Sequence, residues 1–270
     1  LEKLLESRLG ADIYKEQAML DEFLHGGGDM HSLCAKMVFR EELDNIPVKD
    51  IKKKRPDLRK KVKSVEFAKQ FGGSAMAISQ SLGCSEEEAQ KFSDAYDKGF
   101  KGVTTFKNKG SKFVKSHGYV LICPVTGHKL WWWDFDKWKK VQSSFTQEFW
   151  EEYRKFHKGT GDEIAMQVRE HFKAGSKWDR MALNAPTQGT GSIILKDSAI
   201  AMFNWVVYNG WFGKAMLCNL VHDEQLWEFP KELQDTFPSL LESKMLESAA
   251  KYCKSLPIPA EAEVGTCWIH

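Results

Sequence analysis

The sequence has no CxxC pair. Its six cysteines, Cys34, Cys84, Cys123, Cys218, Cys253 and Cys267, are scattered through 270 residues, which argues against a zinc ribbon and against a disulfide-stapled secreted domain. No apolar run approaches the roughly 18 residues of a membrane span, so no membrane partner is expected. The opening segment, Leu1 to Arg8, is too charged for a signal peptide. The expected location is a reducing cytoplasm, and a chain that starts on Leu reads as a fragment or as one whose initiator is missing. An excess of one charge is missing too: 39 Lys and Arg face 37 Asp and Glu, for a net charge of +2. A nucleic-acid partner therefore has to be argued from local clustering. There are no internal repeats and no low-complexity tract.

What is present is a chain rich enough in apolar residues, 42%, to bury a sizeable core, with ten Trp. Periodicity predicts helix over much of 1–24, broken at His25-Gly-Gly-Gly-Asp29, and again over 31–46 after a possible N-cap at Asp29. Eight of the twelve positions from 52 to 63 are basic. Pro56 suits the first turn of a helix running to about Phe71 and ending at Gly72-Gly73. Ser85-Glu-Glu-Glu88 is a capped helix start, and another helix is expected over 102–116. Gly118 to Trp133 reads as a hairpin around Pro124-Val-Thr-Gly127. Residues 134–174 are expected to be helical, then a helix over 177–207 kinked at Pro186. A second hairpin carries His222-Asp223-Glu224 at its tip. A helix over 236–254 and a short C-terminal strand follow. The layout is α+β: mostly helices with one small antiparallel sheet.

Three patterns could carry chemistry. Arg59, Lys63, Phe67 and Phe71 are spaced by four and share a helix face. Cations suit phosphates and aromatic faces suit a base or sugar edge; the plainer reading is a solvated basic helix with its Phe residues turned inward. Arg180, Asn184 and Gln188 are also spaced by four, beside Pro186, Gly189 and Gly191. Those residues mark a place where something packs close to the backbone, or else a weak polar helix. Asp223 and Glu224 repel one another unless a cation joins them, and Mg²⁺ held by one or two carboxylates plus substrate phosphates would fit; ordinary turn chemistry is the alternative. Weaker features are His25, Asp29 and His31 as a metal loop, Cys267 with His270 as a CxxH, and Trp131-Trp132-Trp133, most simply packing but conceivable as a stacking platform.

In order along the chain these patterns resemble family A DNA polymerases, the group of bacterial polymerase I and many phage replicative enzymes. Asp29-Met-His31…Ala35 resembles D-I-H-x-x-x-A. Arg59…Lys63…Phe67…Phe71-Gly72 resembles motif B, R-x-x-x-K-x-x-x-F-G-x-x-Y-G. Gly118-Tyr-Val120 resembles the start of a G-Y-V…G-R hairpin. Arg180…Asn184-Ala-Pro-Thr-Gln188-Gly-Thr190…Lys196 resembles R-x-x-x-N-x-P-x-Q-G-T…K. Leu220-Val-His222-Asp223-Glu224 resembles motif C, and Gly265 to Trp268 the G-x-x-W ending. The departures are specific: Glu66 stands for Asn, Ala68 for Gly and Phe71 for Tyr. In motif A, D-Y-S-x-x-E-x-R, the register that puts Glu6 on the glutamate and Arg8 on the arginine leaves Leu1 at the aspartate.

The resemblance implies a phage-type right-hand polymerase fold without thumb or exonuclease: palm from 1–30 and 175–270, fingers from 31–174. It implies nucleotidyl transfer from a dNTP to a primer 3′-OH in DNA replication, in a bacterial host cytoplasm if phage-encoded. Asp223 would bind Mg²⁺ in a two-ion site whose other carboxylate lies elsewhere. Asp223, Glu224 and Lys63 would be catalytic. Arg59, Lys63, Phe67, Phe71 and Glu6 would hold the nucleotide, and Arg180, Asn184, Gln188 and His222 would face the primer–template. With motif A degenerate, the expected partner is an upstream polymerase chain carrying motif A and thumb. The alternatives are a non-catalytic DNA- and nucleotide-binding remnant and, from another class, an unrelated basic scaffold.

Overall fold

The structure is a computed structural model and describes residues 2–70, 72–156 and 163–268. The elements are α1 (Glu2–Tyr14), α2 (Gln17–Asp21), a π-helical turn (Glu22–Gly26), α3 (Met30–Val38), α4 (Arg40–Leu43), α5 (Val48–Lys54), α6 (Pro56–Gln70), α7 (Ala75–Leu82), α8 (Glu86–Gly99), α9 (Lys101–His117), β1 (Tyr119–Leu121), β2 (Lys129–Trp131), α10 (Phe135–Ser144), α11 (Gln147–Phe156), α12 (Glu163–Tyr208), β3 (Met216–Val221), β4 (Glu224–Glu228), a short 3₁₀ turn and α13 (Phe237–Tyr252). The fold is α+β and mostly helical. Among the described residues two antiparallel sheets of two strands each, β1–β2 and β3–β4, replace the single sheet expected.

Local signals account for many element ends. Asp29 caps α3 by accepting from the Ser32 amide, and Ser85 caps α8 by accepting from the Glu88 amide. Both satisfy an amide that the first helical turn leaves without an intrahelical partner. Gly83 and Gly118 end α7 and α9 in the left-handed region, where a Cβ is costly. Glu16 does work no local pattern foretold: its carboxylate accepts from the amides of Ala18, Gly102 and Val103, tying the start of α2 to that of α9.

Three expectations need correction. The helix of 1–24 is broken at Lys15, which has φ 54°, and resumes as α2. The stretch 134–174 holds α10, α11 and the first part of α12, with 157–162 outside the described residues; the break expected near 175 is absent. Instead α12 runs for 46 residues through Gly175 and Pro186, about 69 Å at 1.5 Å per residue. Packing overrides the roughly 1 kcal/mol propensity cost of glycine here, because Gly175 lies against Trp138. Finally, no strand occurs among the described residues after α13.

α12 is the spine that joins four apolar clusters. Leu183 enters the first with α3, α6 and α8, around Leu33, Val62, Val65 and Phe100. Ile194 enters the second, with Leu9 of α1 and Ala249 of α13. Trp178, Ala182 and Ala185 enter the third, with Val114, Val120 and Trp132. Met202 and Val206 enter the fourth, with Trp227 and Phe237. The glycines and proline of its middle are small where neighbours come closest. A Cβ on Gly189 would stand 1.7 Å from Ile122 Cγ2, and Gly191 lies under Leu5 and Leu9 of α1. The close packing expected at this stretch is found.

Candidate active site

α6 and α3 are joined by two polar contacts at one end. Arg59 Nε and Nη2 donate three hydrogen bonds, of 2.9, 3.0 and 3.3 Å, to the Asp29 carboxylate. Two residues on from Asp29, His31 Nδ1 lies 2.5 Å from Glu66 Oε2. Phe67 sits edge-on to His31, with ring centroids 6.1 Å apart. Asp29 and His31 are therefore engaged with α6, and the metal loop imagined for them is not formed; among the described residues no group of three or more His, Cys, Asp or Glu could hold a metal ion. The other member of the CxxH pair, His270, lies outside the described residues. Glu66, noted from the sequence only as a departure, is the partner of His31. An acid at that position paired with a histidine 35 residues away has no local signature.

Burial opposes ionisation of Asp29, but hydrogen bonds from Arg59 and Ser32 outweigh it and hold the carboxyl below its ordinary value. A lowered carboxyl stabilises the fold above its unfolded pKa and loses that contribution as pH falls through the folded one. Asp29→Asn, which keeps a capping oxygen but no charge, should cost about 1 kcal/mol at neutral pH. In urea unfolding the gap from the parent should close as pH drops below the ordinary 3.8. A gap that persists in acid would mean that shape, not charge, is what Asp29 supplies.

The rest of the α6 stripe divides. Lys63 is exposed and Phe67 half-buried, while Phe71 lies outside the described residues. Part of the basic run is paired: Lys54 to Asp50 and Arg55 to Asp57 locally, and Lys61 to Glu88 of α8. Glu6, on α1, lines a small cavity with Glu66, Tyr14, Cys34, Tyr96 and Met30. Burial there pushes the Tyr14 hydroxyl up to about 12, against a hydrogen bond with Thr187 and with help from the Glu6 charge. Its hydroxyl donates to the Leu183 carbonyl of α12 at 3.0 Å.

On α12, Arg180 and Gln188 are exposed and Asn184 is half-buried. Gly72, with φ 70°, lets the end of α6 approach this helix: a Cβ there would stand 2.9 Å from Arg180 Cγ. The motif B helix and the Arg180–Gln188 face are thus adjacent although more than a hundred residues separate them.

β3 and β4 form the hairpin expected. Val221 pairs with Glu224, so His222 and Asp223 make a two-residue turn. His222 takes φ 53°, a conformation more tolerated in His, Asn and Asp than in most residues. A bulge at Cys218, between the Leu217–Trp227 and Asn219–Leu226 pairs, re-aims the strand. Gln225, which the sequence did not single out, anchors the hairpin: its Nε2 donates to Ser198 Oγ at 2.6 Å and its Oε1 accepts from Trp227 Nε1. Asp223 lines a cleft with Leu5, Gly191, Leu195, Met245 and Ile258. The segment after α13 closes that cleft, held to α1 by Arg8 Nη1 donating to the Pro257 carbonyl and by Asp12 accepting from the Lys254 amide and Ser255.

Asp223 and Glu6 line different cavities, one on each side of α1. Leu5 faces the Asp223 cleft and its neighbour Glu6 faces the cavity of Glu66, so a single peptide separates the two. His222 and Glu224 flank Asp223 on the turn. A carboxylate at a rigid tip is a hard oxygen donor suited to Mg²⁺.

The sequence profile of DNA polymerase family A matches residues 3–270. DNA polymerase I of Pseudomonas aeruginosa is 26% identical over 264 residues, covering 98% of this chain and 24% of that protein. DNA polymerase I of Streptococcus pneumoniae is 26% identical over 265 residues, covering 98% and 25%. The chain thus spans about a quarter of the length of these relatives. The POL domain of Pol1 from M. smegmatis, solved in complex with DNA primer-template and dNTP, superposes with a TM-score of 0.66 at 22% identity, covering 94% of this chain and 36% of that one. With the profile matching almost every residue, and a polymerase-domain fold built around α12, the chain belongs to DNA polymerase family A.

Proposed function

We propose that the chain performs template-directed DNA synthesis, as the C-terminal fingers-and-palm part of a family A polymerase, with fingers over 31–174 and palm over 1–30 and 175–270. The observation that carries this reading is the approach of α6 to the Arg180–Gln188 face of α12, where a Cβ on Gly72 would stand 2.9 Å from Arg180 Cγ. A nucleotide held on the Lys63 face of α6 and a primer-template held on the Arg180–Gln188 face of α12 would be neighbours. The solved relative's complex with primer-template and dNTP supports the same pair of ligands.

In this reading Asp223 holds Mg²⁺ with Glu224 beside it, an oxygen donor set that suits a hard cation. When bound, such an ion lowers the barrier by neutralising charge on the transferring phosphoryl group. Lys63 meets the triphosphate and Phe67 packs on sugar and base, with Phe71 further along. Arg59 joins the phosphate site from its Asp29 fork, whose Nε and Nη2 bonds fix the guanidinium plane in advance. Glu6 borders the sugar side. Arg180, Asn184, Gln188 and His222 line the duplex minor groove, where acceptors common to all base pairs let polar side chains test geometry without reading sequence.

A two-ion site needs a second carboxylate, and Leu1, outside the described residues, stands at the motif A aspartate. The reading is tested by supplying a polypeptide that carries an Asp-Tyr-Ser segment. Mixing the two should raise Mg²⁺-dependent primer extension by orders of magnitude over either alone. In that mixture Lys63→Ala should raise the dNTP concentration needed by about tenfold to a hundredfold, the loss of one charge-assisted bond to phosphate. No gain on mixing would favour the second reading, a primer-template and nucleotide binding module without catalysis.

A further inference from the structure

The β1–β2 hairpin and the end of α9 carry a surface that the proposed active site does not use. Side chains alternate along β2 and beyond it. Trp132 turns inward and stacks on Trp178 of α12, centroids 5.2 Å apart at 19°. Trp131 and Trp133 turn outward and are 49% and 90% exposed. Trp131 continues a row of rings. It contacts Tyr119 at 5.1 Å, Tyr119 meets Phe113 edge-on at 5.2 Å, and Phe113 stacks on His117 at 4.2 Å and 15°. Lys129 Nζ lies over both Tyr119 and Trp131, at 4.5 and 5.4 Å.

The chain segment that carries this row is one-sided in charge, though Lys115 is paired with Asp179 of α12. Residues 101–140 hold nine lysines and two aspartates, a net of +7, while the whole chain is only +2. α9 itself contains five lysines and no acid. Lys109 lies one turn before Phe113 on the same face, and Lys112 adjoins it; both are exposed. Rings kept in water among cations are poorly suited to an apolar protein partner and well suited to a polyanion that also has π-faces. Duplex DNA hides those faces inside its stack, whereas a single strand can splay its bases onto aromatic side chains while its phosphates meet lysines.

We infer that the α9–β1–β2 face binds single-stranded DNA, with bases stacked on Trp131 and Trp133 and phosphates held by Lys109, Lys112 and Lys129. The platform is rigid, because Trp132 is anchored in the core and Ile122 is seated on Gly189, where the hairpin approaches Gln188. This goes beyond the proposed function. Its measurement needs no metal, nucleotide or primer, so either reading can fail while the other stands.

The test is fluorescence anisotropy of the 270-residue chain with a labelled oligo(dT) of about 20 nucleotides and with a duplex of equal length. Trp131→Ala with Trp133→Ala should weaken single-strand binding by at least about thirtyfold and duplex binding by less than about twofold. An abasic strand should bind the parent as poorly as oligo(dT) binds the double variant. Lys109→Ala with Lys112→Ala should weaken both ligands and reduce the salt slope by about 1 to 2. Trp133→Phe, which keeps a ring at the most exposed position, should retain most of the affinity. It also separates stacking from any loss of folding in the alanine variants. Unchanged oligo(dT) binding in the tryptophan variant, or an equal loss on strand and duplex, would overturn the inference.

Discussion

Asp223→Asn should lower nucleotide incorporation by about a thousandfold or more while leaving primer-template binding within about twofold. Asn preserves the volume and hydrogen-bonding reach of the side chain but lacks the charge needed to hold a divalent cation against water. Metal charge is felt most in the transition state, so kcat should carry the loss. Relaxation of the hairpin cannot hide the effect. The tip is a two-residue turn fixed by the Val221–Glu224 pair, and β4 is pinned to α12 through Gln225 and Ser198. The assay is primer extension in the mixture that contains an Asp-Tyr-Ser polypeptide, beside a binding titration on the same DNA. Equal extension with Asn at 223 would remove Asp223 from the metal site. Parallel loss of binding would make the hairpin a structural support.

The second large effect is a sign reversal between two glycines. Gly189→Ala should destabilise the chain by about 2 to 3 kcal/mol, whereas Gly191→Ala should be neutral or stabilising by up to about 1 kcal/mol. Helix propensity favours alanine at both positions, since both lie inside α12. The surroundings differ. A Cβ at 191 would meet Leu5 and Leu9 at 3.5 and 3.6 Å, ordinary contacts. A Cβ at 189 would meet Ile122 Cγ2 at 1.7 Å, which no packing allows. Ile122 has little freedom to yield: its χ1 is stiff by branching, and its carbonyl accepts from Thr190 Oγ1 at 3.3 Å. Ile122→Ala should recover most of the loss in the double variant, since it deletes the clashing methyl. Urea unfolding of the four proteins reads the result. Similar behaviour of the two glycine variants would mean that the hairpin does not rest on Gly189.

Both expectations start from features visible in the linear chain, and each needed the fold to become specific. Gly189, Gly191 and Pro186 announce a close approach, because they are costly in a helix without one, but not what approaches. The answer, Ile122 for one and α1 for the other, depends on segments far away in sequence. The same limit explains the helix wrongly divided near 175. Propensity at Gly175 favours a break, and only contact with Trp138 outweighs it.

The sequence alone determined the α+β class, the caps at Asp29 and Ser85, the hairpin with Asp223 at its turn, and the polymerase-like order of motifs. These rest on interactions within a few residues, or on side-chain spacing that a helix or strand converts directly into a face. Only the tertiary structure decided that Arg59 is forked onto Asp29, that His31 and Glu66 pair, that Leu5 and Glu6 line two different cavities, and that Lys129 lies over the rings of Tyr119 and Trp131. Each of these joins groups on different elements, or gathers them on one exposed face. Which partners meet is chosen by how helices bury their apolar sides around α12, a choice made by close packing of the whole core and not written in any local period.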